Sequence, residues 1–159
     1  MNVEPSIENE TRQKSGRVKK RVLIVDDDVS VRKSIGSVLQ GAGYEVMQAG
    51  DGDEALAQFD AKQIDLMLLD LGLPRKSGWD TFEVFTGKNP TLPIIIITGK
   101  AWQTETARAA GVGALMEKPL DVGRLLQTME ELLNEPEEAR LRRLVGYSQD
   151  IRHIPPVGG

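Results

Sequence analysis

The chain has no cysteine. That excludes disulfides and thiolate metal ligands, and it fits a reducing compartment. There is one histidine, His153, and it falls in a polar tail where it reads as solvent-exposed rather than catalytic. No apolar run approaches the roughly 20 residues needed to cross a bilayer. The opening segment "MNVEPSIENETRQKSGRVKKR" lacks the apolar stretch of a secretory signal. A large excess of charge of one sign is missing too. The net charge of −4 gives no strong pull toward nucleic acid or an anionic membrane. These absences together point to a cytoplasmic protein.

What is present suits one domain with a full core: 159 residues, 40% hydrophobic and 28% charged. Residues 1–19 are polar and cannot bury enough surface to offset the entropy of ordering, so they read as a flexible arm. Its basic end (Arg17, Lys19, Lys20, Arg21) reads as a solvated charge run. The texture changes at Val22. "VLIV" (22–25), "LMLL" (66–69) and "PIIII" (93–97) are continuous apolar runs, as expected of strands buried on both faces. "YEVMQA" (44–49) and "ALMEK" (114–118) complete a set of five strands.

Helical patterns alternate with these runs. Val31, Ile35, Val38 and Leu39 share one face before Gly41 and Gly43. Ala55, Leu56 and Phe59 point inward from a second helix, and Trp79, Phe82 and Phe85 read as core packing on a third. A short helix is expected over 105–111. Val122, Leu125, Leu126, Met129, Leu132 and Leu133 form a strong amphipathic stripe. The order is βα five times over residues 20–134. It predicts an α/β fold, an open, doubly wound, five-stranded parallel sheet. Residues 135–159 read as one short helix with a stripe of Leu141, Leu144 and Val145, then a loose tail, with no room for a second globular domain.

Ligands in such sheets bind at the carboxyl ends of the strands. The first strand ends in Asp26, Asp27 and Asp28, the third in Asp70, the fourth in Thr98, and the fifth in Lys118 followed by Pro119. Any one of these has a bland explanation. Asp28 or Ser30 can cap the following helix, and Lys118 can be a surface lysine. Jointly the bland account weakens, because packed carboxylates repel or hold protons unless a cation joins them. A hard divalent ion such as Mg²⁺ needs only one or two carboxylates plus water. A carboxylate beside Mg²⁺ and a lysine can attack phosphorus and hold an acyl phosphate. Gly72 leaves a backbone carbonyl free to approach such a metal, and Pro74 and Gly78 shape the loop.

"LIVDDD", "LLDLGLP", "SG", "IIIITG" and "EKP", in this order, resemble the receiver domain of two-component response regulators, the CheY-like, flavodoxin-like fold. The resemblance implies that Asp70 is the phosphoacceptor for a histidine kinase or histidine phosphotransfer protein. It also implies that Asp26, Asp27, Asp70 and the Gly72 carbonyl hold Mg²⁺. Thr98 becomes the switch hydroxyl and Lys118 the family's lysine. Such a protein would not be an enzyme on a separate substrate. It would be a single-domain response regulator that signals by phosphorylation-dependent binding to a downstream protein.

Output, or a homodimer, would use the face formed by the helix at 105–111, the fifth strand and the helix after it. Two departures bear on output. The family's aromatic switch position is Leu115 here, and the interval from Thr98 to Lys118 is two residues shorter than the family's usual spacing. A haloacid-dehalogenase-like phosphatase needs a second aspartate two residues after its nucleophile, where this chain has Gly72. The remaining alternative is a phosphorylation-independent scaffold on the receiver fold.

Overall fold

The computed structural model describes residues 19–61, 63–73, 78–99, 107, 110–146 and 151–157. The arm, Pro74 and most of the helix expected at 105–111 lie outside the described residues. The elements run β1 (Arg21–Val25), α1 (Val29–Gly41), β2 (Glu45–Ala49), α2 (Gly52–Ala61), β3 (Leu66–Asp70), α3 (Gly78–Lys88), β4 (Ile94–Thr98), β5 (Ala114–Glu117), α4 (Val122–Asn134), α5 (Glu137–Leu144) and β6 (Arg152–Ile154). The sheet order is β2-β1-β3-β4-β5-β6, and every pairing is parallel.

Alternation along the strands splits the core in two. Leu23, Val25, Met67, Leu69, Ile94, Ile96 and Leu115 face one layer, which α2 and α3 close with Ala55, Phe82 and Phe85. Phe59 and Phe85 meet edge to face with centroids 4.9 Å apart. Val22, Ile24, Leu66, Leu68, Ile95, Ile97 and Met116 face the other layer, closed by Ile35 and Leu39 of α1 and Leu125, Met129 and Leu132 of α4. Helices on both faces are why the strand runs lack the polar alternation of a half-exposed sheet. The stripe expected on α4 is buried at Leu125, Met129 and Leu132, whereas Val122 at its first turn is exposed.

The C-terminal tail departs from the expectation of a loose end. Arg152, His153 and Ile154 pair with Ala114, Leu115 and Met116 and add a sixth strand. Ile154 is buried among the α4 side chains, and Ile151 packs on the opposite layer. The inward side of α5 also differs from the expected stripe. Leu141 and Val145 are exposed, and Arg143 is buried. Charge explains this. Arg143 grips both carboxylate oxygens of Glu135, while Arg140 donates to the carbonyls of Thr91, Leu132 and Glu135. A buried guanidinium with several fixed acceptors is tolerated where a lone one is not.

Candidate functional site

Strand register assembles the site. Val25 pairs with Leu69, so the next residues, Asp26 and Asp70, leave β1 and β3 at one height. Asp70 pairs with Ile97, one residue before Thr98. Thr98 in turn pairs with Glu117, one residue before Lys118. The Lys118 amide donates to the Thr98 carbonyl at 2.8 Å, which fixes the end of β5 against β4. All four expected side chains therefore reach one sheet edge, and Asp70, Thr98 and Lys118 line one hollow with Asp27 and Gly72.

Asp70 is buried, and both its oxygens are held. Oδ1 accepts from the Gly72 amide at 3.0 Å. Oδ2 accepts from Lys118 Nζ at 3.2 Å. The same ammonium stands 3.4 Å from Asp26 Oδ2, an ion pair without hydrogen-bond geometry. Asp26 is 1% exposed, and its Oδ1 accepts from the Asp28 amide at 2.9 Å. Asp28 itself caps α1, accepting from the Ser30 and Val31 amides. It therefore serves the helix, and Asp26 and Asp27 remain for the site. One carboxylate oxygen from each of Asp26, Asp27 and Asp70 lies within 4.8 Å of the others.

The electrostatics follow from that crowding. Burial pushes the Asp26 carboxyl above its ordinary range. The Asp28 amide pulls it back, and the Asp70 charge adds to the rise. Burial works against the Lys118 ammonium, but the Asp70 and Asp26 carboxylates outweigh it and hold its pKa above the usual lysine value. One ammonium thus pairs with two members of a cluster of three carboxylates. The buried Asp26 Oδ2, which has no hydrogen bond, adds a second mark of an incomplete charge set. This all-oxygen set fits a hard divalent cation.

One positioning feature escaped the sequence reading, and a second, the loop glycine Gly78, has a more specific reason than loop shape. Arg32 Nη1 donates to the Asp26 carbonyl at 2.6 Å, pinning the turn after β1 from the first turn of α1. Gly78 is demanded by close approach: a Cβ there would lie 2.5 Å from Leu71 Cα and 2.8 Å from the Asp70 carbonyl oxygen. At Gly72 a Cβ would make only ordinary contact, 3.6 Å from Asp70 Oδ1. The described contribution of Gly72 is its amide. Leu115 is fully buried, with His153 of β6 as its register partner. The Lys118–Pro119 peptide is cis.

Comparison with known proteins agrees with this geometry. The response regulator receiver domain family matches residues 22–130. The chain belongs to that family. The receiver is 38% identical to the transcriptional regulatory protein ZraR of Salmonella typhimurium over 144 residues, covering 84% of this chain and 33% of ZraR. It is 32% identical to the transcriptional regulatory protein PdtaR of Mycobacterium tuberculosis, covering 76% of this chain and 60% of PdtaR. The chain therefore spans from a third to three fifths of these two relatives' length. Among solved structures, a CheY-like receiver domain protein from Methanospirillum hungatei superposes with a TM-score of 0.70 at 33% identity, covering 76% of this chain and 97% of that one. The chemotaxis response regulator CheY4 of Vibrio cholerae gives 0.67 at 29%, covering 72% and 99%. No helix among the described residues is long and apolar enough to cross a membrane.

Proposed function

We propose that this receiver accepts a phosphoryl group on Asp70 from a histidine kinase or histidine phosphotransfer protein, in a Mg²⁺-dependent reaction, and signals by phosphorylation-dependent binding to a downstream protein. The observation that carries the reading is Asp70 itself. It is a buried carboxylate with each oxygen held, beside an acidic pair and under a lysine. Asp26, Asp27, Asp70 and the Gly72 carbonyl would hold the ion. When bound, Mg²⁺ supplies positive charge that offsets the carboxylates and the arriving phosphoryl oxygens.

The chain's own residues do the rest. The Gly72 amide orients Asp70 by holding Oδ1. A carboxylate oxygen attacks phosphorus, the new P–O bond forms as the donor's P–N bond breaks, and the imidazole leaves with the electron pair and takes up a proton. Lys118, already between Asp26 and Asp70, turns its ammonium to the new phosphoryl charge, and the Thr98 hydroxyl serves a second oxygen. The donor needs surface beside Asp70. An apolar groove bordered by Lys118 and lined by Val31, Ile35, Pro119, Leu120 and Val122 provides it, between α1 and the start of α4. The protein is thus a phosphoacceptor rather than an enzyme on a separate substrate, and its place is the cytoplasm.

The test is direct. Incubation with a small phosphodonor and Mg²⁺ should give one acyl phosphate, mapped by mass spectrometry to Asp70 and absent from Asp70→Asn. Labelling that persists in Asp70→Asn refutes the assignment. A phosphorylation-independent scaffold is the second reading. It is favoured by one observation, the full burial of Leu115 beside a paired β5 edge.

A further inference from the structure

The strand added by the tail is tied to the residues on either side of Lys118. His153 of β6 pairs with the Glu117 carboxylate, immediately before the lysine. The Val157 amide donates to the Pro119 carbonyl at 3.0 Å, immediately after it. Lys118 itself bridges Asp70 and Asp26. The other end of the segment is fastened independently. The Arg152 amide donates to the Gly113 carbonyl at 3.2 Å, and its guanidinium pairs with Glu131 and Glu135. Glu135 is gripped by Arg143 of α5.

These two attachments differ in kind. The α5 end is tied by the partly exposed Arg152 guanidinium to Glu131 and Glu135, and Glu135 is itself held by the bidentate grip of Arg143. The upper end is a short edge pairing with the buried Ile154, one hydrogen bond between the half-exposed His153 and Glu117, and one backbone bond. Short edge pairings open at a fraction of the global free energy. The segment is therefore a strap with a foot tied to Glu131 and Glu135 and a clasp at its other end, and the clasp sits on the two neighbours of Lys118, the residue that contacts Asp70.

The position of Leu115 agrees with this. It is fully buried, and β6 runs along the outer edge of its strand. An inward swing of an aromatic ring at that position, the movement that the resemblance implies, has no counterpart in this chain. Output through β5 must first move β6.

We propose that β6 is a clasped cover over the β5 edge, released when Asp70 carries a phosphoryl group. This inference rests on the phosphoacceptor reading. New charge on Asp70 draws the Lys118 ammonium inward. The flanking Glu117 and Pro119 follow on the same backbone, and their links to His153 and Val157 lengthen. A ligand at Asp70 moves this equilibrium only by its differential contact with the clasped and released states. Lys118 makes such a contact. Release bares the β5 edge and the seat of Ile154 for the downstream protein.

Hydrogen exchange of the whole chain tests the proposal, with Mg²⁺ and beryllofluoride as the phosphoryl mimic. Fluorine NMR reports whether the mimic is bound, and Asp70→Asn provides the blank. With the mimic bound, the Val157 amide should exchange roughly tenfold faster, within the usual range of coupling between sites, while the Arg152 amide at the foot changes less. The amides of β4 should not change. A bound mimic with unchanged or slower exchange at Val157 overturns the cover. Failure of the mimic to bind overturns the phosphoacceptor reading and the cover with it. Glu117→Gln and His153→Ala, both away from the acidic cluster, should speed exchange at Val157 without the mimic and shrink the further response. A full wild-type response in both variants overturns the clasp.

Discussion

Asp26→Asn should make the metal-free protein more stable and the Mg²⁺-containing protein less so. The reasoning starts from charges and distances. Two carboxylate oxygens no more than 4.8 Å apart repel by about 3.5 kcal/mol or more at an effective dielectric constant of about 20. The Lys118 ammonium at 3.4 Å from Asp26 returns about 5 kcal/mol on the same scale. Asp70 and Asp27 both oppose that gain. Asp27 is exposed, so water screens most of its share. The remaining balance is near zero or mildly unfavourable before the desolvation of a carboxylate that is 1% exposed. Asparagine removes the charge, keeps an oxygen for the Asp28 amide, and brings donors toward Asp70. Its own amide then needs partners in a buried place, which costs about 1 kcal/mol or more.

The expected net gain in EDTA is about 1–2 kcal/mol, or roughly 3–6 °C in melting temperature for a chain of this size. Added Mg²⁺ should reverse the order. The wild-type protein gains by mass action as the ion binds the native state alone, and the variant, short of one carboxylate ligand, gains much less. Thermal melts of both proteins across a Mg²⁺ series provide the assay. Two results would refute the argument: a variant less stable than wild type in EDTA, or two proteins stabilised equally by Mg²⁺.

Lys118→Ala should keep Mg²⁺ binding and lower the rate of acyl phosphate formation on the order of a hundredfold, since a preorganised cation at developing charge is worth about that much; a wild-type rate in a phosphodonor assay would remove Lys118 from the site. Glu135 gives the acid limit. Burial works against its charge, but the hydrogen bonds and charge of Arg143, then the charges of Arg152 and Arg140, outweigh it and hold its carboxyl below the ordinary 4.5. A depressed folded value means stability that is fully present above about 4.5 and is lost as pH falls through the folded pKa. Urea midpoints for wild type and Glu135→Gln should therefore differ most at neutral pH and converge below pH 4.5, and a constant gap would contradict the linkage.

The acidic site was legible because parallel strands buried on both faces write themselves as short apolar runs. The residue that ends each run must lie on one edge. Asp26, Asp70, Thr98 and Lys118 needed no longer-range information than that. Arg32 and Gly78 were not legible in the same way. An arginine on a helix face reads as solvated, whereas in the fold it reaches the Asp26 carbonyl. A glycine after a turn proline reads as loop chemistry, whereas its reason is the start of α3 lying against the Asp70–Leu71 backbone. The sixth strand left still less trace. "RHI" (152–154) is too short for periodicity to act on, and its only buried apolar side chain is Ile154.

Leu115 and the tail explain each other better than either does alone. An aromatic residue on an edge strand can serve two positions only if one of them opens to solvent or to a partner. Here the edge is taken by β6, and the layer over Leu115 is filled in part by Ile151. A tyrosine in that place would bury a hydroxyl that needs a partner, and a larger ring would force its neighbours off their rotamers. Leucine fits a position that stays closed. A strand end that cannot signal by turning one side chain can still signal by shifting its backbone, because Lys118 is fixed to Thr98 on one side and flanked on the other by the clasp residues Glu117 and Pro119. The substitution that weakens the familiar route therefore coincides with a covalently attached strand placed to use the other one.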